Sequence, residues 1–138
     1  MTTLSLKDWS RSPEIVIGAR EHRRLTTAAL IDVEQDSDQV DFLLYELDRA
    51  RIIEDALLPA DVVRIGSVVR YRLASGEERT VKLALPEAVA GRDAYRISVT
   101  SKHGAALLGL RPGQIIAWVD AGGNAHSVEV LRVANSGG

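Results

Sequence analysis

The sequence predicts an α+β protein in which a short N-terminal antiparallel helical hairpin precedes a C-terminal antiparallel β-domain that carries one short helix. Two observations lead to this expectation. Apolar residues recur with a helical period between residues 19 and 50, and beyond residue 60 they alternate with a period of two between turn residues. A chain of 138 residues can bury one ordinary core with a small appendage, so two large domains are excluded. The expected organisation is an arm over 1–13, a short strand and the hairpin over 14–58, the β-domain over 59–134 and a frayed tail over 135–138.

The arm shows no sustained period and offers Trp9 as the side chain available to dock on the body. Glu14-Ile15-Val16-Ile17 is rich in β-branched residues and stops at Gly18, which predicts a short strand able to pair within or between chains, so the oligomeric state stays open. From Ala19 to about Val33, His22, Leu25, Ala29 and Val33 form one stripe, and Arg20, Arg23, Arg24 and Thr27 another. Polar residues 34–39 interrupt the pattern and offer Ser37 or Asp38 as N-cap of a second helix, where Val40, Leu43, Leu44, Leu47 and Ala50 repeat at helical spacing. So short a connection implies antiparallel packing, and helices of about 14 residues would each be about 21 Å long.

Beyond Pro59 the expected strands are Val68 to Leu73, Arg79 to Leu85, Tyr95 to Val99, Gln114 to Val119 and His126 to Val133. Turns are expected at Ser75-Gly76, Gly91-Arg92 and Gly122-Gly123-Asn124. A short helix from Gly104 to Leu108 runs into Gly109 as its C-cap. Val69, Tyr71, Leu73, Val81, Leu83 and Leu85 alternate with polar residues, so one sheet face should be covered. Arg70, Arg72, Lys82 and Arg96 would then share a basic outer face if their strands are neighbours.

Composition narrows the function classes. The 46% hydrophobic and 26% charged content argues against disorder and against a membrane protein, and no apolar run or leader pattern appears at the N-terminus. No cysteine is present, which removes disulfides and thiolate metal sites and fits the cytoplasm. A net charge of -2 speaks against strong direct DNA binding by the whole molecule. Glycine-rich phosphate loops, nucleophile elbows and His-Glu-x-x-His are missing, so a binding module without enzymatic activity or cofactor is expected.

The histidines His22, His103 and His126 are far apart in sequence and show no metal-ligand spacing. Glu34, Asp36, Asp38 and Asp41 cluster at the expected hairpin tip, where carboxylates can hold a divalent cation or simply favour the N-terminus of the second helix. The stripe Arg20, Arg23 and Arg24 of the first helix can face solvent, contact phosphate or an acidic partner, or pair with Asp41 or Asp48. Residues Ser101 to Gly113 combine small residues, leucines and glycines: the leucines plug the sheet, or the small residues let a partner approach.

Gly104-Ala105-Ala106-Leu107-Leu108-Gly109-Leu110-Arg111-Pro112-Gly113-Gln114, preceded by Tyr95-Arg96-Ile97-Ser98-Val99, resembles the C-terminal domain of the Gre transcript-cleavage factors. Within the GreA/GreB superfamily the chain is most similar to the Rnk type, the regulators of nucleoside diphosphate kinase. Leu47-Asp48-Arg49-Ala50, Asp61-Val62-Val63 and Val128-Glu129-Val130-Leu131 agree, and the resemblance spans roughly Glu14 to Val133.

The resemblance implies a coiled-coil hairpin and an FKBP-like β-domain that docks at the secondary channel of bacterial RNA polymerase. Family docking uses the loop before the short helix, here Thr100, Ser101, Lys102, His103 and Gly104, with Ala105 and Leu108 behind it. Relatives often carry proline where Lys102 stands, and Gre factors can carry aspartate near Thr100. In Gre factors the tip acids help hold a second magnesium ion for cleavage; this tip lacks their Asp-Asn-Ala-Glu-Tyr pattern, and the coil is shorter. Polymerase binding that competes with Gre factors, without transcript cleavage, is therefore expected. Peptidyl-prolyl isomerase activity from an FKBP-like fold is an alternative, although few aromatics are available to line a proline pocket. A nucleic-acid module using the basic sheet face is another.

Overall fold

A computed structural model describes residues 13–31, 37–86, 89, 95–119 and 122–135. The arm with Trp9, the expected turn at Gly91-Arg92 and the tail beyond Asn135 lie outside the described residues. Strand β1 (Val16–Gly18) leads into helix α1 (Ala19–Ile31), and helix α2 (Ser37–Arg49) leads into strand β2 (Arg51–Ile53). β1 starts two residues later than expected, and it pairs within the chain, parallel to β2, with Val16 opposite Arg51 and Gly18 opposite Ile53. β2 leaves no signature in the sequence, because three residues directly after a helix are too few to display a period. The Arg51 N–H donates to the Ile15 carbonyl at 2.9 Å, so the chain enters and leaves the hairpin side by side.

Helix α1 has no capping side chain of its own, since glycine precedes it. Its cap comes from Asp55, in a single 3₁₀ turn (Asp55–Leu57), whose carboxylate accepts the Arg20 N–H at 2.8 Å and also the Glu21 N–H. These backbone donors, Arg20 foremost, hold the Asp55 carboxyl below its ordinary range. A Cβ at Gly18 would collide with that carboxylate, which explains why glycine stands there.

The two helices run antiparallel, as expected: His22 in the second turn of α1 places Nε2 3.0 Å from the Leu47 carbonyl near the end of α2. Leu25, Ala29, Leu43 and Leu47 are buried between the helices and the rest of the molecule, while Arg20, Arg23, Arg24 and Thr27 face solvent. Val33 lies outside the described residues. Among the described residues, no ion pair joins the arginine stripe to Asp41 or Asp48.

The remaining strands are β3 (Val68–Leu73), β4 (Glu78–Ala84), β5 (Arg96–Ser98), β6 (Ile115–Val119) and β7 (Ala125–Ala134). They form one sheet in the order β5-β4-β3-β7-β6. Three neighbour pairs are antiparallel, but β5 runs parallel to β4, a departure from the wholly antiparallel expectation. Residues 85–95 separate these two strands, a connection long enough to return the chain to the starting end of β4, which parallel pairing requires. A bulge opposite Arg70 and Tyr71 bends β7. The expected turns at Ser75-Gly76 and Gly122-Gly123 use Gly76 and Gly123 at positive φ.

Helix α3 (Lys102–Leu107) covers the inner sheet face and begins two residues before the expected start, because Ser101 caps it. Ala105, Ala106, Leu107, Leu108 and Leu110 are fully buried and join Leu25, Leu43, Tyr71, Leu83, Ile116 and Val130 in one cluster. Gly109, at φ 78°, turns the chain after α3, and its missing side chain lets β1 approach, since a Cβ there would lie 2.6 Å from the Ile15 Cβ. Asn135, expected in a frayed tail, is tied down: its side chain bonds Ser67 and donates to the carbonyls of Ala60 and Val62.

Removing buried methyl groups leaves a cavity, so Leu107→Ala is expected to destabilise the fold by about 2–5 kcal/mol in urea denaturation, and a wild-type midpoint would refute its core position. Asp55→Ala should cost about 0.5–2 kcal/mol by losing the α1 cap, whereas Asp55→Asn, which still accepts a bond, should recover part of that loss.

Candidate functional site

The loop from β5 into α3 is built by local hydroxyl chemistry. Ser98 Oγ accepts the Thr100 N–H at 3.1 Å and lies 2.7 Å from Thr100 Oγ1. Ser101 donates its hydroxyl to the Ser98 carbonyl at 2.7 Å and accepts the Gly104 N–H at 3.1 Å, capping α3. A Cβ at Gly104 would collide with the Ser98 carbonyl, so the tight return of this corner depends on glycine.

Burial divides the expected contact residues into two groups. Thr100, Gly104, Ala105 and Leu108 are buried, so they hold the corner from behind. Ser101, Lys102 and His103 are half-buried and form the accessible ridge. The small residues of α3 are thus used for close packing against the sheet.

His103 roots this ridge in a ring cluster that the sequence did not reveal. Its imidazole lies 5.7 Å from the Trp118 ring, 6.3 Å from Tyr71 and 6.5 Å from His126, centre to centre. Trp118 stacks on His126 at 5.5 Å and meets Phe42 of α2 at 5.4 Å. His103 and His126, far apart in sequence, are thus brought together in space with Trp118, Tyr71 and Phe42. Trp118 and His126 are direct cross-strand partners, and Ile116, Val128 and Val130 on the same face are buried. That inward alternation was the available signal. Among the described residues, no group of three His, Cys, Asp or Glu side chains is placed to hold a metal ion.

The hairpin reaches the β-sheet through Phe42, and its helices hold two buried acids that the apolar pattern concealed. Glu21 accepts the Ile65 N–H at 2.9 Å, and Glu46 is held by Arg49 through bonds of 3.0 and 2.9 Å. Arg49 also donates to the Pro13 carbonyl at 2.7 Å. Burial is the main cause that pushes both carboxyl groups above their ordinary range, against the pull of Ile65 on Glu21 and Arg49 on Glu46.

Of the tip acids, Glu34 and Asp36 lie outside the described residues, as does the side chain of Asp38 in the first turn of α2. Asp41 is exposed. On the outer sheet face, the register places Arg70, Arg72, Lys82 and Arg96 together, with Lys82 opposite both Val68 and Arg96. The face is not simply basic, however. Glu78 accepts from Arg70 at 2.8 Å and from Arg72 at 3.0 Å, and Glu129 binds Arg72 at 3.2 Å. These acids offset the two arginines where a phosphate backbone would need them. A shallow groove of about 300 Å³ between the helices is lined by His22, Thr26, Leu44, Leu47, Asp48 and Ile52. No helix among the described residues is long and apolar enough to cross a membrane.

Burial, then Arg79 and His126, hold the His103 imidazole below its ordinary value, so it is neutral at neutral pH. A group whose pKa falls on folding takes up protons more readily when unfolded, so stability should decline as pH drops below about 6.5. His103→Gln should flatten that decline between about pH 6.5 and 5, and melting temperatures of both proteins across this range test it.

A family model described as transcription elongation factor, GreA/GreB, C-term, matches residues 58–135. The regulator of nucleoside diphosphate kinase of Escherichia coli K12 is 42% identical over 94 residues, covering 67% of this chain and 68% of that protein. Transcription elongation factor GreA of Nitrobacter hamburgensis is 30% identical over 131 residues, or 91% of this chain and 82% of that one. The solved structure of a prokaryotic transcription elongation factor GreA/GreB from Nitrosomonas europaea superposes with a TM-score of 0.67 at 31% identity, over 88% of this chain and 99% of that one. The chain belongs to the GreA/GreB transcription elongation factor family, as a member of the type represented by the regulator of nucleoside diphosphate kinase.

Proposed function

We propose that this protein is a cytoplasmic transcription regulator, not an enzyme, that binds bacterial RNA polymerase at the secondary channel and competes with Gre factors without promoting transcript cleavage. Family membership supports the polymerase as partner. The corner of Ser101, Lys102 and His103 supports a docking surface, because rigid buried residues present it and the family docks through the same loop. In this reading α1 and α2 form a short coiled coil, and the sheet with α3 is an FKBP-like domain.

The observation that carries the non-cleaving part is the length of the hairpin. Two helices of 13 residues give a rod of about 20 Å, shorter than a Gre-type coil, so its tip stops before the catalytic centre when the β-domain docks at the rim. Asp41 is exposed, and the tip lacks the Gre acidic motif, which leaves the coil as a plug of the channel mouth. An influence on nucleoside diphosphate kinase, the property in the name of the E. coli relative, would then act through expression.

Binding to purified core polymerase, with a Gre factor as competitor and cleavage scored in the same reaction, tests this reading. Mutually exclusive binding with no cleavage is expected; failure to bind, or cleavage stimulated by this chain alone, refutes it. Lys102→Glu should weaken the complex while leaving the melting temperature unchanged, since the ridge contributes charge to the interface and little to the core. Unaltered affinity would move the interface away from this corner.

A further inference from the structure

Strand β6 is an edge of the five-stranded sheet, with β7 its one neighbour. The direction of its backbone groups follows from the ladder. The Gln114 carbonyl accepts the Val130 N–H at 3.0 Å, and Ile116 and Trp118 lie opposite Val128 and His126. Backbone groups alternate in direction along a strand, so those of Ile116 and Trp118 face β7, and those of Ile115, Ala117 and Val119 face the open edge.

The side chains of the same three residues form an apolar stripe on the outer face. Ile115 is 51% and Val119 36% exposed, with exposed Ala117 between them. Soluble proteins commonly blunt such an edge with charge, proline or a bulge. Ile115-Ile116-Ala117-Trp118-Val119 contains neither charge nor proline, and the bulge lies between β3 and β7. The opposite edge, β5, carries an exposed arginine, Arg96, and is only three residues long.

We propose that β6 is a self-association surface whose occupant is the β6 strand of a second copy of this chain, paired antiparallel about a two-fold axis through Ala117. That register is self-complementary. Ala117 faces its own copy, and Ile115 faces Val119 of the second chain at both ends. Each facing pair exchanges two backbone bonds, so about six bonds satisfy the N–H and C=O groups that each edge presents. Every side-chain contact across the outer face is apolar, and no charge is opposed by its like. The two sheets become one of ten strands, and because the interface is the same patch on both copies the assembly closes at a dimer. An extended peptide of another protein could pair with the same backbone, but a generic peptide would not match Ile115 and Val119 at both ends.

Sedimentation of the full chain over a concentration series tests this, together with a cysteine placed on the axis. A monomer–dimer equilibrium with no larger species is expected. Ala117→Lys should remain monomeric at concentrations where the wild type is dimeric, and its melting temperature should match the wild type's at low concentrations where both are monomeric, because position 117 is exposed. The native chain has no cysteine, so Ala117→Cys reports cleanly. Facing Cα atoms about 5.5 Å apart allow a disulfide, and oxidation should give a covalent dimer. Thr80→Cys, exposed on β4 of the same face, should stay monomeric on a non-reducing gel. Monomeric wild type at every concentration, assembly beyond the dimer, or equal cross-linking at positions 80 and 117 overturns the proposal.

Discussion

The clamp at the base of the hairpin sets the arrangement of the rest of the molecule. Two helices of 13 residues are too short to be stable alone in water, and an isolated pair of three-residue strands is no better. Joined, they brace one another. The parallel β1–β2 pair brings the chain's entry to the hairpin beside its exit, and Asp55, just beyond β2, caps α1 from 35 residues away. Once that base is closed, α2 presents Phe42 to Trp118 and α1 presents Glu21 to the Ile65 N–H. The orientation of the hairpin against the sheet therefore follows from contacts near its base, through Glu21, and partway along α2, through Phe42.

Buried carboxylates at this junction carry a cost as well as specificity. Moving Glu21 and Glu46 out of water disfavours their charged forms, and one backbone N–H or one arginine only partly offsets that loss. Each acid does what a leucine could not, because it takes a single acceptor position. Glu21 fits the donor of Ile65, and Glu46 aligns Arg49 through Nε and Nη2 so that Nη1 holds the Pro13 carbonyl. Apolar packing from Leu25, Leu43, Leu107 and Trp118 provides cohesion, and these polar contacts restrict how the packed pieces can slide.

Legibility in the sequence followed the length of the repeating signal. The hairpin helices and the strands β3, β4, β6 and β7 each carry several periods of apolar alternation, and their positions were readable to within about two residues. β2 has three residues and no period, and the parallel placement of β5 depends on a crossover that no local pattern encodes. The Asp55 cap and the Glu21 and Glu46 contacts were hidden for a related reason: each joins or buries a residue whose local context reads as surface. At the candidate corner, the composition around Gly104 marked a tightly packed turn and helix start, which the structure has there. Composition could not tell the residues that build the corner from those that it exposes, since small residues serve close packing and close approach equally well.

That division at the corner bears on how a family with one scaffold can vary its partners. Thr100, Gly104, Ala105 and Leu108 are constrained by the core behind them and by the Ser98 carbonyl, so substitution there disturbs folding before it alters recognition. Lys102 projects from a helix start already fixed by the Ser101 cap and lies beside His103, which the Trp118 cluster anchors. A proline at 102 would restrict φ and contribute no charge, whereas lysine leaves the backbone to the Ser101 cap and adds a cation. Because the cap already supplies the geometry, the exchange of proline for lysine changes the charge of the ridge with little change in its shape. If the proposed docking holds, the half-buried Lys102 is where charge can change while the fold that presents it stays the same.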